Sequence, residues 1–175
     1  EIYTLSLHDA LPIWVELVNE APSVYLWTPG VALARDAESY EWIEPGRPAL
    51  PGDEVVVYAT GLGVTAPTVE YRRVVTEPRE IAARDRFTVW LNDQAVDDEA
   101  VTYVGVMPGW PGIYEVRFRL PETLPSNPVV RLQIGEQLSQ DEVRLAVAGE
   151  DVDWDEEEPA PAPEPEAEPE EEPEG

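Results

Sequence analysis

Between positions 114 and 120 the chain alternates: Tyr114, Val116, Phe118 and Leu120 are apolar, and Glu115, Arg117 and Arg119 between them are charged. A period of two is that of a β-strand, whose side chains point in turn to opposite faces. The pattern predicts a strand with the four apolar residues in a core and the three charged ones in water. The same period recurs in Val55, Val57 and Ala59, in Phe87, Val89 and Leu91, in Val130, Leu132 and Ile134, and in Val143, Leu145 and Val147.

Turn signals separate these runs at short intervals, among them Pro51-Gly52-Asp53, Gly61-Leu62-Gly63, Pro108-Gly109, Pro111-Gly112 and Gly135-Glu136. Asn92-Asp93 is expected to close a tight hairpin, because both residues tolerate the left-handed backbone region. Gly61 and Gly63 follow a strand directly, where a sharp bend calls for positive φ. No stretch carries a sustained helical repeat. An α/β fold needs helical crossovers of about a dozen residues, so the expected class is all-β, an antiparallel β-sandwich.

Charge divides the chain. The 175 residues carry 37 Asp and Glu against 11 basic residues, all of them arginine, a formal net charge of -26. Positions 150–175 hold 14 of the acids, six prolines and no base, too little apolar surface to build a core, and are expected to form a disordered acidic tail. The plain reading of that tail is a solubilising terminus or linker; a weak calcium-binding or partner-binding tail is the alternative. Residues 1–13 resemble a peptide produced when sequencing-adapter DNA is translated, and are expected to lie outside the native fold. Residues 14–20 alternate in Trp14-Val15-Glu16-Leu17-Val18, as a strand left over from an upstream repeat or an added edge strand. The sandwich is expected to occupy residues 21–149. Missing clusters of Lys and Arg argue against a nucleic-acid partner, and no apolar run approaches the roughly 18 residues of a membrane-spanning helix, so membrane insertion is not expected.

Leu50-Pro51-Gly52-Asp53-Glu54-Val55-Val56-Val57-Tyr58-Ala59-Thr60-Gly61-Leu62-Gly63 resembles the opening of IPT/TIG-type immunoglobulin-like domains. A Pro-Gly turn leads there into a β-branched strand and a Gly-x-Gly bend. The run from Tyr103 through Pro108-Gly109-Trp110-Pro111-Gly112 to Val116, with Arg119-Leu120-Pro121, is similar to the immunoglobulin-like C-terminal domain family of large secreted acidobacterial proteins. Ala21-Pro22-Ser23-Val24-Tyr25 and Val31-Ala32-Leu33-Ala34-Arg35 resemble the segment preceding its core, so the similarity runs from about Ala21 to Val147. Glu115 and Arg117 depart from the uncharged polar residues usual at those positions, and Asp97-Asp98-Glu99 is unusually acidic. The resemblance implies an extracellular or cell-surface module with neighbouring domains of the same larger chain as partners.

Candidate chemistry is sparse. The chain lacks cysteine, and its single histidine, His8, lies in the first thirteen residues, so neither a thiolate site nor a hydrolase triad is indicated. No phosphate loop or nucleophile elbow is present, no cofactor is expected, and no spacing singles out a carboxylate pair for glycosidase chemistry. Asp97, Asp98 and Glu99 are the weak calcium candidates, set against a solvated turn. Tryptophans 14, 27, 42, 90, 110 and 154 suggest a carbohydrate platform. Trp90 points away from Phe87, Val89 and Leu91, so it lies on an exposed face or, the favoured reading, beneath a covering loop. Trp110 is expected to plug one end of the sandwich. Trp90 and Trp110 are the ligand-binding candidates. The expected function is a non-catalytic structural or adhesive module; a polysaccharide-binding module using exposed aromatics is the alternative, and a hydrolase a distant third.

Overall fold

The computed structural model of the chain describes residues 18–69 and 73–149. The expectations for residues 1–13 and for the tail lie outside that range, as does all of the 14–20 segment except its last three residues.

Among the described residues, eleven of thirteen short strands form two main antiparallel sheets packed face to face, the expected β-sandwich, and the other two pair as a separate hairpin. In chain order the strands are β1 (Ser23–Val24), β2 (Leu26–Thr28), β3 (Val31–Ala32), β4 (Ala34–Asp36), β5 (Trp42–Ile43), β6 (Glu54–Thr60), β7 (Arg79–Glu80), β8 (Phe87–Leu91), β9 (Gln94–Ala95), β10 (Val101–Val106), β11 (Tyr114–Arg119), β12 (Val130–Ile134) and β13 (Gln137–Leu138). The large sheet runs β5-β4-β6-β11-β10-β7, with β1 also paired to β6. The small sheet runs β13-β12-β8-β9.

One edge of β6 is shared by two strands. Ser23 and Val24 pair with Thr60 and Ala59, whereas Ala34, Arg35 and Asp36 pair with Val57, Val56 and Val55. Between them the chain leaves the sheet as the β2–β3 hairpin, whose tip is Pro29-Gly30 with Gly30 at φ 80°. All three residues of β2 are exposed.

The inner faces meet as the alternation predicts. Val55, Val57, Val116 and Phe118 of the large sheet join Phe87, Val89, Leu91, Val130, Leu132 and Ile134 of the small one in a single buried cluster. Asn92 and Asp93, at φ 46° and 64°, form the tight β8–β9 turn. Gly61 is held at φ 72°, and a Cβ there would stand 1.9 Å from the Ala21 carbonyl oxygen, a clash no other residue escapes. The Val143 to Val147 segment buries its apolar residues but joins its neighbours through isolated bridges, Arg144 to Val129 and Val31 and Val147 to Ala49.

One face assignment needs correction. Tyr114 is half-buried and Arg119 exposed, but Glu115, expected in water, is only 3% exposed. It points away from the core, as its place in the alternation requires. Its burial comes from a second layer of side chains laid across the outer face of the large sheet.

Candidate functional site

That second layer is the candidate site. In the middle of β6 the residues facing away from the core are Val56 and Tyr58, both buried. An all-apolar strand is what a sheet covered on both faces requires. The register sets their neighbours. Arg35 stands beside Val56, with Trp42 beyond it on β5. On the other side Arg117 stands beside Val56, with Tyr103 beyond it. Glu115 lies next to Tyr58.

Glu115 is bound from both sides. Arg35 Nη2 donates to Oε1 at 2.9 Å, and Arg117 Nη2 to Oε2 at 3.0 Å. Burying a charge is costly unless it is paired and hydrogen-bonded. Here each carboxylate oxygen takes one guanidinium, which accounts for a glutamate beneath the surface of a strand. Aromatic faces hold the arginines in turn: the Arg35 guanidinium is 4.9 Å from the Tyr40 ring centre and 5.6 Å from that of Tyr58, and Arg117 is 5.7 Å from Tyr103. Tyr40 adopts φ 60°, a region few bulky residues enter, at the turn between β4 and β5. Burial raises the Tyr58 and Tyr103 phenols above their usual pKa, so both are neutral at physiological pH.

Beside this triad lies an aromatic cleft of about 430 Å³, lined by Tyr25, Leu33, Trp42, Tyr58, Met107, Trp110 and Ile113. Three rings form a continuous row. Trp27 stacks on Trp42 with ring centres 5.9 Å apart and planes 26° apart, and Trp42 leans on Tyr58, again at 5.9 Å. Tyr58 is the buried floor, whereas Trp27, Trp42 and Trp110 remain 43%, 45% and 58% exposed. The β2–β3 hairpin brings Trp27, the short β5 strand brings Trp42, and the loop between β10 and β11 brings Trp110.

Trp110 therefore does not plug the sandwich. Gly109 and Gly112, at φ 83° and 81°, turn the Pro108–Gly112 segment sharply, and the Gly109 N–H is anchored to the Val75 carbonyl at 2.7 Å. The loop is thereby carried over the outer face, where Trp110 walls the cleft. Trp90, the other ligand candidate, lies on the outer face of the small sheet, half-buried, with its indole N–H donated to Gln133 Oε1 at 2.8 Å. That partner belongs to the neighbouring strand β12, not to a loop. The two tryptophans are thus not brought together.

Asp97, Asp98 and Glu99 lie at a 3-10 turn, Asp98–Ala100, with Asp97 just before its first residue. Asp98 Oδ1 accepts from Arg84 Nη1 at 2.6 Å. Among the described residues no group of three or more His, Cys, Asp or Glu could hold a metal ion, and no helix is long and apolar enough to cross a membrane.

Sequence reasoning placed Trp27 and Trp42 only among the tryptophans at large, and it passed over Tyr25, Tyr58, Arg35 and the burial of Glu115. The signal for them was the apolar run Val55-Val56-Val57-Tyr58-Ala59, which leaves no polar residue on either face in the middle of β6. Comparison with known proteins finds no family model that matches the chain and no curated protein that is similar to it.

Proposed function

We propose that the domain is a non-catalytic module that binds polysaccharide in the aromatic cleft on the outer face of its large sheet. The observation that carries this reading is the row Trp27–Trp42–Tyr58 in a cleft that Trp110 also lines: Trp27, Trp42 and Trp110 are open to solvent above the buried Tyr58, on a strongly acidic protein. An exposed apolar patch bordered by a few fixed polar groups is the usual form of a ligand site. Sugar rings suit it because their C–H faces lie flat on indole and phenol while their hydroxyls reach the rim. Between the two non-catalytic functions expected from the sequence, the cleft favours polysaccharide binding over a purely architectural role. A non-catalytic role is supported by the state of Glu115, whose two oxygens are both engaged by arginine. Secretion, and descent from the acidobacterial immunoglobulin-like family, belong to the same proposal and rest on the resemblance of residues 21–147.

The test is a panel of soluble and insoluble polysaccharides assayed for binding and for release of reducing sugar. Binding without turnover, lost in Trp42→Ala at unchanged melting temperature, is the expected result. Failure to bind any polysaccharide, or binding indifferent to Trp42→Ala, would return the face to the architectural role, as a contact for a neighbouring domain. Turnover abolished by changing one carboxylate would make the protein a hydrolase.

A further inference from the structure

Past Met107 the aromatic cleft meets a second cavity, of about 560 Å³ and different in kind. Met107 lines both cavities. The charged residues around the second are Arg35, Arg117, Glu54 and Glu115, so its formal charge is zero. Donors and acceptors are both supplied. Each guanidinium commits one Nη to Glu115, and the buried Nε atoms of Arg35 and Arg117 have no hydrogen-bond partner among the described residues. Glu54 Oε1 accepts from the Thr102 hydroxyl at 2.5 Å. An unsatisfied buried donor destabilises a protein unless something completes it. The two guanidinium groups that would meet a ligand are already held in place by the Glu115 pairing and by the Tyr40, Tyr58 and Tyr103 rings.

We infer that this cavity is a second subsite of the same cleft, binding the hydroxyls of the sugar unit next to the one stacked on Trp42 and Tyr58, and that the ligand is an uncharged polysaccharide segment at least two units long. The inference rests on the sugar-binding reading above and narrows it. Hydroxyls both donate and accept, matching a surface that offers both. An extra carboxylate would meet a cavity whose positive charge is already balanced, on a protein of strong negative charge. Arg117, 35% exposed at its side chain, is the residue assigned to contact ligand. Glu115, 4% exposed at its side chain, is a positioning residue that aims both arginines.

Calorimetric titration of the full chain with cello-, xylo- and manno-oligosaccharides of one to six units, and with oligogalacturonides of matching length, tests this. For at least one neutral series affinity should rise about tenfold between one and four units, the gain of one charge-assisted hydrogen bond. Oligogalacturonides should bind more weakly at every length. Arg117→Met should remove the gain with length while keeping the affinity for the shortest ligand, and Arg117→Lys should restore part of it. Binding independent of length, tighter binding of oligogalacturonides, or an Arg117→Met protein with native affinities overturns the second subsite. Those outcomes leave the aromatic site standing as long as Trp42→Ala abolishes binding. If Arg117→Met does not fold, the length and charge series on the native protein decide alone. No binding in any series, or binding unaffected by Trp42→Ala, removes the proposed function and this inference with it.

Discussion

Replacing Glu115 with alanine is the sharpest probe of the layer that covers the large sheet. The side chain is 4% exposed, and Arg35 is 18% and Arg117 35% exposed. Losing the carboxylate leaves two guanidinium groups without their shared anion. Removing one partner of a buried pair costs about 3–5 kcal/mol, chiefly through the charge left uncompensated. Arg117 is the more hydrated and can turn to water, so its share is close to that of a surface pair, about 1 kcal/mol or less. Arg35, sandwiched between Tyr40 and Tyr58, has less freedom. The expected loss for Glu115→Ala is therefore near the lower end, about 3 kcal/mol, against about 1 kcal/mol for Arg117→Ala. Urea titrations followed by tryptophan fluorescence measure both, and an unchanged slope against denaturant would show that only stability has moved. The apolar triple variant Arg35→Leu, Glu115→Leu, Arg117→Leu should recover most of the loss, because removing a buried ion cluster entirely is often neutral. A Glu115→Ala protein within 0.5 kcal/mol of native, a window set by ordinary surface substitutions, would mean that water reaches the carboxylate and that the covering layer is not closed.

Three further outcomes follow from the same packing. Phe118→Ala, at a side chain with no exposure, should cost about 3–5 kcal/mol in equilibrium unfolding; a loss below that of Arg117→Ala would show that the strand register is wrong. Gly61→Ala should lose about 3 kcal/mol or more and lower the melting temperature sharply, because positive φ and a Cβ 1.9 Å from a backbone oxygen act together; a neutral substitution would place the bend elsewhere. Asp36 accepts from the Ser39 N–H and hydroxyl and the Glu38 N–H, and these bonds, the Ser39 N–H first, lower its pKa below 3.8. Its folded pKa being depressed, the stabilisation is complete above the unfolded value and fades as pH falls through the folded one; Asp36→Asn should therefore flatten the acid limb of stability below about pH 4, and an unaltered limb would remove the turn from the account.

The sheets were legible where the alternation was long. Phe87 to Leu91 and Val130 to Ile134 show inward and outward residues as written in the sequence, and they pair with each other in register. Strands β1 to β5 were not legible, because runs of two or three residues are too short to display a period. Glu115 was misread for a different reason. Periodicity reports which face a residue points to, and Glu115 does point away from the core; it says nothing about what covers that face. The cover comes from Arg35, eighty positions earlier, and from aromatics on β5, β6 and the 107–113 loop. Trp110 was misplaced likewise, since a Pro-Gly-flanked tryptophan announces a tight turn without the direction in which the turn leans.

The outermost strands of both sheets, β5, β7, β9 and β13, are each two residues long. A strand that brief offers a visiting chain too few free amides and carbonyls to extend the ladder, which is the route by which sheets of neighbouring molecules fuse. Copies of this domain can therefore come close together without merging into a continuous ribbon. Any contact between copies is thereby left to the flat faces and their side chains.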